Sequence, residues 1–329
     1  MLMARLEQHP LAGRFNRLLP EHVYGAVEAG GRRCTGRFVV LNSYENRVYQ
    51  LELDDGSFVV GKFYRPGRWS REAILDEHRF LRELDEAEVP VAVPIELTPG
   101  ETLGEVDGIA YALFARLGGR APEELDDEQV RMAGRLIARI HNVGARADAP
   151  HRMRLSPDTY GADDLRWLLE HDAIPAEARA AYAATVEALL ARMRPRFEGV
   201  PVHRLHGDCH LGNLLWTPRG PAILDFDDML VGPPVQGGWL LVGAYDAEGQ
   251  RQRRLLFKAY GELRRFEPAW LRLVEPLRAL RIIHYAAWIA RRWEDPSFKR
   301  TFGHFGTLQF WEAEIAALRE QIARIDQED

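Results

Sequence analysis

The chain is poor in cysteine, with Cys34 and Cys209 the two among 329 residues. They lie far apart and in neither a CxxC nor a zinc-type spacing, which argues against a disulfide framework and against a structural zinc site. Cysteines without a pairing pattern fit a reducing compartment, so we expect a cytoplasmic protein.

Long apolar runs are also missing. The first ten residues include charged side chains and lack the apolar stretch of a secretory signal. The most apolar later segment, Ala286–Ala290, is bounded by His284 and Arg291 and is too short to span a bilayer. We therefore expect no membrane partner.

An excess of positive charge is the third absence. Lys and Arg total 43 against 49 Asp and Glu, which gives a formal net charge of -6. Binding to a phosphate backbone depends on clustered basic residues, so we expect no nucleic-acid partner. The 46% hydrophobic and 28% charged residues are typical of a soluble globular chain, and 329 residues exceed the size of a single core, which predicts two lobes.

The first third of the sequence is typical of strands. Arg37–Asn42, Arg47–Leu53 and Ser57–Tyr64 are rich in Val, Phe, Tyr and Leu. An Asp-Gly turn, at Asp54-Asp55-Gly56, separates the last two runs and favours a hairpin. We predict an antiparallel meander.

A helix is predicted over Arg71–Glu86, with Ser70 as its N-cap and apolar residues at helical spacing. Short strands are predicted over Val91–Leu97 and Ile109–Phe114, and Pro94 indicates an edge or irregular position for the first of them.

The helical part follows Gly118-Gly119, which we predict to be the boundary between an amino-terminal lobe, residues 1–117, and a mainly helical lobe, residues 118–329. Long amphipathic helices are predicted over Asp127–His141, Ala176–Phe197 and Trp270–Trp293. A short strand pair interrupts them, with the strands Asn213–Trp216 and Ala222–Leu224. The predicted fold class is α+β, with an antiparallel sheet in the first lobe.

A candidate reaction centre surrounds this strand pair. The segment His206–Asn213 precedes it, and Asp225-Phe226-Asp227 follows it directly, so the hairpin brings both ends together. Asp208 and Asn213 have the D-x-x-x-x-N spacing of a kinase catalytic loop. Phosphoryl transfer needs a carboxylate that orients the acceptor hydroxyl, for which Asp208 is suited, and oxygen ligands for Mg²⁺, for which Asn213 and Asp225 are suited.

A second candidate group lies in the first lobe. Lys62 is on the third strand of the meander, where a solvated edge lysine is the alternative. Glu77 is predicted to project from the apolar face of its helix, where an unpaired carboxylate is costly, so we expect a cation beside it. A lysine held by a glutamate and directed at ATP phosphates is the kinase arrangement, with Glu72 and Glu83 as the other candidates for the glutamate.

The loop between the first two strands, Ser43–Arg47, contains no glycine. It stands where a glycine-rich phosphate cover is expected, so phosphate contacts would have to come from backbone amides or from the Ser43 and Asn46 side chains. A plain hairpin connection is the alternative.

The segment His206–Asn213 with Asp225-Phe226-Asp227 resembles the aminoglycoside-phosphotransferase and choline-kinase branch of the kinase-like fold. Three other segments closely resemble a group of bacterial serine/threonine protein kinases within that branch, and the similarity extends over nearly the whole chain. These segments are Leu41–Tyr49, Lys62–Pro66 and Glu275–Ala279.

This resemblance implies a two-lobed protein-kinase-like fold and a cytoplasmic, monomeric, ATP-dependent protein kinase of the bacterial stress response, with Ser or Thr acceptors. It implies Asp208 as proton acceptor, Asn213 and Asp225 as Mg²⁺ ligands and Lys62 as the ATP-phosphate lysine. It also implies an ATP contact for Ser43 and a supporting role at the second metal for Asp227.

One feature departs from the related kinases, and a second bears on regulation. Gly237 stands where the family usually carries an aspartate that braces the catalytic loop, so the loop is expected to be looser unless another group supplies that hydrogen bond. The segment after Asp227 reaches Gly232-Pro233-Pro234 almost at once, which leaves no room for a phosphorylatable activation loop.

Three other functions remain open from the sequence. A small-molecule hydroxyl kinase would use the same reaction centre. Against this alternative, Arg278, Arg281 and Arg292 could share a helix face, which would suit an acidic partner. A metallohydrolase would use His206, Asp208 and His210 as ligands if they alternated on a strand. A nucleotide-binding pseudokinase would fit Gly237 and the missing glycine loop.

Overall fold

The structure, a computed structural model, describes residues 9–41 and 43–327. Residues 1–8 and Asn42 lie outside the described residues. The first of these belong to the segment for which no secretory signal is expected, and Asn42 is the predicted end of the first strand.

The amino-terminal part is built on a six-stranded antiparallel sheet with the order β1-β2-β3-β6-β4. The remaining strand, β5, pairs with the first three residues of β6. The strands are β1 Cys34–Leu41, β2 Arg47–Leu53, β3 Phe58–Phe63, β4 Pro94–Ile95, β5 Gly104–Val106 and β6 Ile109–Ala115. The predicted meander is confirmed, and Pro94 lies in a two-residue edge strand as expected.

The alternation of side chains along β3 explains where Lys62 points. Val59 and Phe63 face a core formed with two short helices, α1 Ala12–Asn16 and α2 Pro20–Glu28, which the sequence analysis did not predict. Val60 and Lys62 therefore face the opposite side of the sheet. Because β3 lies between β2 and β6, Lys62 is not on an edge strand.

Helix α3, Arg71–Glu86, has the predicted bounds, and the Ser70 hydroxyl accepts a hydrogen bond from the Ala73 amide at 3.2 Å as its N-cap. Its apolar residues join the main core of the molecule, which continues through the helical part. This helix thus packs between the sheet and the rest of the chain.

The carboxy-terminal part is mainly helical, as predicted. Its helices are α4 Asp127–Gly144, α5 Asp163–Glu170, α6 Ala176–Phe197, α7 Ala247–Gly261, α8 Val274–Arg291, α9 Pro296–Thr301 and α10 Leu308–Gln327. Two small antiparallel pairs interrupt them: β7 His203–Leu205 with β10 Leu230–Gly232, and β8 Leu214–Thr217 with β9 Gly220–Ile223.

The predicted helix over Trp270–Trp293 is wrong at its start. Residues Pro268–Leu273 form a 3₁₀-helix, and the α-helix begins at Val274. In an α-helix the ring of Pro276 would clash with the carbonyl of the residue four positions earlier, so the regular helix cannot extend much further back. Among the described residues, no helix has the length and apolar character needed to cross a bilayer.

Candidate active site

The hairpin β8–β9 brings the two ends of the sequence motif together. The Leu224 amide donates to the Asn213 carbonyl at 2.8 Å, and His206 Nε2 lies 2.7 Å from the Leu224 carbonyl. A carbonyl can only accept, so Nε2 is the donor, and Nδ1 is left to accept the Asp208 amide at 3.3 Å. His206 therefore positions the loop that carries Asp208.

This arrangement contradicts the geometric basis of the metallohydrolase alternative. Residues 206–210 do not form a strand, so His206, Asp208 and His210 do not alternate on one face. Both ring nitrogens of His206 are engaged by backbone groups. In the part of the chain that the structure describes, no group of three or more His, Cys, Asp or Glu side chains is arranged to hold a metal ion.

Asp208 is mostly buried, and each of its carboxylate oxygens faces a cationic or donor group. Oδ1 lies 2.8 Å from Nη1 of Arg281, on α8, and Oδ2 lies 3.4 Å from Nε2 of His210. Burial raises the pKa of Asp208, but the hydrogen bond from His210 and the charge of Arg281 outweigh it and hold the pKa below its usual range. Asp208 is therefore a carboxylate at neutral pH.

Asn213 and Asp225 are the other two residues of the predicted reaction centre. The Asn213 Nδ2 donates to the Asp208 carbonyl at 3.0 Å, which fixes the amide orientation. Its Oδ1 receives no hydrogen bond from the described residues. Asp225 has φ 58° and ψ 72°, the left-handed region that is costly for a non-glycine residue, and its side chain is 50% exposed. Both residues line the cleft.

Lys62 reaches the same place from the sheet. Its Nζ lies 3.0 Å from Asp225 Oδ1, 3.1 Å from Asp227 Oδ1 and 3.5 Å from Glu77 Oε1. Burial lowers the pKa of Lys62, but the three carboxylates outweigh burial, so the pKa lies well above its ordinary value. Lys62 is therefore charged and buried, and it is not a solvated lysine on an edge strand.

Glu77 is held on α3 by a second cation that sequence reasoning missed. Its Oε2 accepts from Arg152 Nη2 at 2.9 Å, and Arg152 also donates to the backbone carbonyls of Ala73 and Asp227. The other two glutamate candidates lie elsewhere: Glu72 is exposed, and Glu83 pairs with Arg204. Of the three, the structure places Glu77 beside Lys62.

Arg68 is a further cation that the sequence analysis missed. Its guanidinium is buried and forms ion pairs with Asp227 and Asp228. Asp227 is therefore neutralised by Lys62 and Arg68, whereas Asp225 keeps an exposed face. The two aspartates of the motif are not equivalent.

Two cavities of about 490 Å³ each meet at these residues. The sheet-side cavity lies under β2, β3 and β6 and has an apolar lining that includes Val48, Val60, Phe114 and Leu215. The helix-side cavity lies against α8 and contains Asp208, Arg281 and a group of aromatic side chains. The residues that line both are Ser43, Gly212, Asn213 and Asp225.

The glycine-free loop between β1 and β2 is fixed by side chains. The Ser43 hydroxyl accepts from the Asn46 amide at 3.1 Å. Glu45, 8% exposed, accepts from Arg292 Nε at 2.6 and 2.7 Å and from Trp288 Nε1 at 2.9 Å, both near the end of α8. This loop is thus tied to the helical part across the mouth of the helix-side cavity.

The loop of Asp208 is braced by a neighbour of Gly237. Gln236, which is buried, donates from Nε2 to the Gly207 carbonyl at 2.7 Å and accepts from Trp239 Nε1 at 3.0 Å. A Cβ at Gly237 would lie 2.3 Å from the ring of His141. The loop thus receives a side-chain hydrogen bond from Gln236 although Gly237 has no side chain to offer.

The proposed basic stripe on α8 does not form. Arg278 is buried against the rings of Trp239 and Tyr245, and Arg292 pairs with Glu45. Of the three arginines, Arg281 reaches the reaction centre. The spacing along the helix was right, but partners from other elements engage two of the three guanidiniums.

Comparison with known proteins shows which family the chain resembles. The profile of the phosphotransferase enzyme family (APH) matches residues 38–274. Stress response kinase A of Escherichia coli (strain K12) is 38% identical over 315 residues, which are 95% of each chain. Serine/threonine protein kinase RdoA of Salmonella typhimurium is 36% identical over 308 residues, 93% of each chain.

Two solved structures with the same fold carry the names of small-molecule kinases. The amicoumacin kinase hAmiN, in complex with AMP-PNP, Ca²⁺ and Ami, superposes with a TM-score of 0.70 at 18% identity and 89% coverage of each chain. A microcompartment-associated aminopropanol kinase superposes with a TM-score of 0.69 at 19% identity, covering 93% of this chain and 96% of the other. The predicted kinase-like α+β fold is confirmed, and the chain belongs to the phosphotransferase enzyme family.

Proposed function

We propose that this chain is an ATP-dependent serine/threonine protein kinase that acts as a monomer in the stress response of a bacterial cytoplasm. The observation that carries the proposal is the meeting of the two cavities at Asn213 and Asp225, with Asp208 on one side and Lys62 on the other. A phosphotransferase needs a donor site and an acceptor site that share one reaction centre.

The sheet-side cavity is the proposed ATP site. Its apolar walls suit a nucleobase, and residues 115–117 border it. Lys62 is charged, buried and held by Glu77, so it is suited to bind the phosphates. Ser43 lines both cavities and is the proposed contact of the loop to ATP.

The donor set fits Mg²⁺. The carboxylate of Asp225 and the Oδ1 of Asn213 are hard oxygen ligands, and Mg²⁺ in phosphotransferases is bound by one or two such groups together with substrate phosphates. Bound there, the ion would neutralise negative charge on the phosphates. In this proposal Asp225 and Asn213 hold the ion, and Asp227 supports Lys62.

Asp208 is the proposed proton acceptor for the acceptor hydroxyl. It lies in the helix-side cavity next to the shared residues, and the hydrogen bonds of His206 and Gln236 hold its loop. As the hydroxyl oxygen bonds to phosphorus, its proton passes to the Asp208 carboxylate, and the bond to the leaving oxygen of ADP breaks.

A protein acceptor is supported by the names of the relatives at 36–38% identity, which cover nearly the whole chain. The alternative is a small-molecule hydroxyl kinase, which the fold of the solved neighbours favours. A pseudokinase is the weaker reading because Lys62, Asp208, Asn213 and Asp225 are all present and converge.

The acceptor class is tested by incubating the protein with γ-labelled ATP, Mg²⁺ and a panel of a generic protein, an aminoglycoside and choline. We expect label on the protein and loss of that label in the Asp208→Ala variant. Faster labelling of a small molecule would replace the protein-kinase proposal by the small-molecule one. Binding of ATP without transfer to any acceptor, with Mg²⁺ or Mn²⁺, would indicate a pseudokinase.

A further inference from the structure

We propose that Arg281 selects polypeptide acceptors that carry an anionic group, a carboxylate or a phosphate, close to the reacting Ser or Thr. This inference rests on the proposed function and concerns the acceptor half of the same site. It assigns to Arg281 a specificity-determining role in which its contact with Asp208 is exchanged for a contact with the acceptor.

The first observation is that Asp208 is engaged. Arg281 Nη1 contacts Oδ1 at 2.8 Å, and His210 Nε2 contacts Oδ2 at 3.4 Å. While Arg281 is bonded to Oδ1, the acceptor hydroxyl cannot take that place. An acceptor that draws Arg281 away opens space for its hydroxyl at Oδ1.

The second observation is that Arg281 is free to exchange partners. Its side chain is 45% exposed, and among the described residues Asp208 is its ion-pair partner. The neighbouring basic side chains are committed, since Arg291 and His284 both contact Asp164 and Arg292 contacts Glu45. Arg68, at the same cavity, is buried in ion pairs with Asp227 and Asp228.

The guanidinium of Arg281 then favours an anion, because the other carboxylates at this end of the cavity, Glu45, Asp227 and Asp228, are already paired with arginines. A neutral acceptor that displaces Arg281 offers the guanidinium no new partner, and a cationic acceptor repels it. An acceptor with a carboxylate or phosphate replaces the lost ion pair with an equivalent one. The same contact therefore admits anionic acceptors and disfavours cationic ones.

A polypeptide fits the shape of the cavity mouth. Tyr44 and Tyr285, 58% and 44% exposed, border the helix-side cavity, and Phe302 lies 6.0 Å from both rings. Exposed aromatic rings around a cleft provide apolar contact for residues that flank the reacting one. A compact hydroxy acid would leave these rings uncovered.

The test compares peptides of one length with a single central Ser and acidic, neutral or basic flanking residues, and a fourth peptide with a flanking phosphoserine. For the wild type we expect kcat/KM to be about tenfold higher for the acidic than for the neutral peptide, and lowest for the basic one. Arg281→Gln should remove this preference and Arg281→Glu should reverse it. Arg319→Gln, an exposed arginine on α10, is the control that should keep it.

The ratio of the acidic to the phosphoserine peptide shows which anion is the better partner. Equal kcat/KM for the acidic, neutral and basic peptides in the wild type, or the same preference in Arg281→Gln, overturns the inference. Faster phosphorylation of a free hydroxy acid than of any peptide overturns the polypeptide assignment. If no peptide or protein receives label, the proposed function fails; if all peptides are labelled equally, that function stands and the present inference fails.

Discussion

Gln236 supports the reaction centre through a single side chain. In the related kinases an aspartate at the position of Gly237 is expected to brace the catalytic loop; here the ring of His141 occupies the space that a side chain at Gly237 would need. The amide of Gln236 bonds the Gly207 carbonyl instead. The brace therefore lies one residue earlier in the chain, on a group that reaches the loop directly.

Replacing Gln236 with Ala should slow turnover while keeping nucleotide affinity. The change leaves the Gly207 carbonyl and the Trp239 indole without partners, which costs about 1–3 kcal/mol of stability, and it releases the loop of Asp208. We expect kcat to fall about tenfold with an unchanged Kd for ATP. Gln252→Ala, on α7, is the matched control, and unaltered kcat in Gln236→Ala would show that the loop needs no such brace.

Glu314 is a buried acid outside the reaction centre. Its Oε2 is buried and accepts no hydrogen bond from the described residues, and burial raises the pKa of Glu314 to about 7. The unfolded chain has the lower value of about 4.5 for this group. The folded state therefore binds the proton more tightly, so stability from this group is fully present below pH 4.5 and is lost as the pH rises through 7.

The variant Glu314→Gln should remove that pH dependence. Because the shift corresponds to about 3 kcal/mol, the variant should gain stability relative to the wild type at pH 8, and the gain should shrink towards pH 5. Urea unfolding at the two pH values measures this. The same difference between variant and wild type at both pH values would mean that Glu314 titrates normally.

At the scale of elements, the loop between β1 and β2 is held to α8 by the Glu45 contacts. Glu45 faces Arg292 and lies 3.5 Å from Arg65 Nε and Arg68 Nε. Burial raises the pKa of Glu45, but Arg68 and Arg292 outweigh burial and keep the pKa low. The buried carboxylate of Glu45 thus holds this glycine-free loop in one position across the cleft.

Glu45→Gln should loosen this loop. Removing one partner of a buried ion pair typically costs about 3 kcal/mol because the remaining cations stay uncompensated. We expect a lower urea midpoint and faster hydrogen exchange of the amides at 43–46. Glu124→Gln, at an exposed position, is the control. A midpoint and exchange rates equal to those of the wild type would argue that the loop is held by its backbone alone.

The elements show what sequence can and cannot predict. Helix Arg71–Glu86 was predicted to the residue because its cap and apolar spacing are local signals, and the Asp-Gly hairpin was predicted for the same reason. The 3₁₀ start before α8 was missed because helical periodicity masked the effect of Pro276. Helices α1 and α2 were missed as well; their burial depends on the sheet that they cover.

The site residues also divide into those that local sequence signals predict and those that they do not. Asp208, Asn213 and Asp225 could be predicted because they are close in sequence around one hairpin. Lys62 and Asp225 are 163 positions apart, and their contact was inferred through the kinase arrangement. Arg152 and Arg68 had no signal, because an ion pair between distant elements leaves no periodic pattern in the sequence. Arg281 was named for its spacing along the helix, but its contact with Asp208 was not predicted.

At the scale of the whole molecule, contacts across the cleft are already formed in the chain by itself. Lys62 joins the sheet to Asp225, and Arg65 on the sheet side contacts Asp295 before α9 at 2.9 Å. The segment 226–233 contains no Ser, Thr or Tyr. These observations agree with the prediction that the reaction centre is assembled without a phosphorylated activation loop.

The central claim is that Asp208 takes the proton of an acceptor hydroxyl while ATP is held independently by Lys62, Asn213 and Asp225. Its most direct test measures single-turnover transfer of the γ-phosphoryl group and the Kd for ATP in the wild type, in Asp208→Asn and in the surface control Asp163→Asn. The account predicts a transfer rate lowered by about 10²- to 10⁴-fold in Asp208→Asn with the Kd kept, and wild-type values for the control. A transfer rate in Asp208→Asn equal to that of the wild type would contradict it.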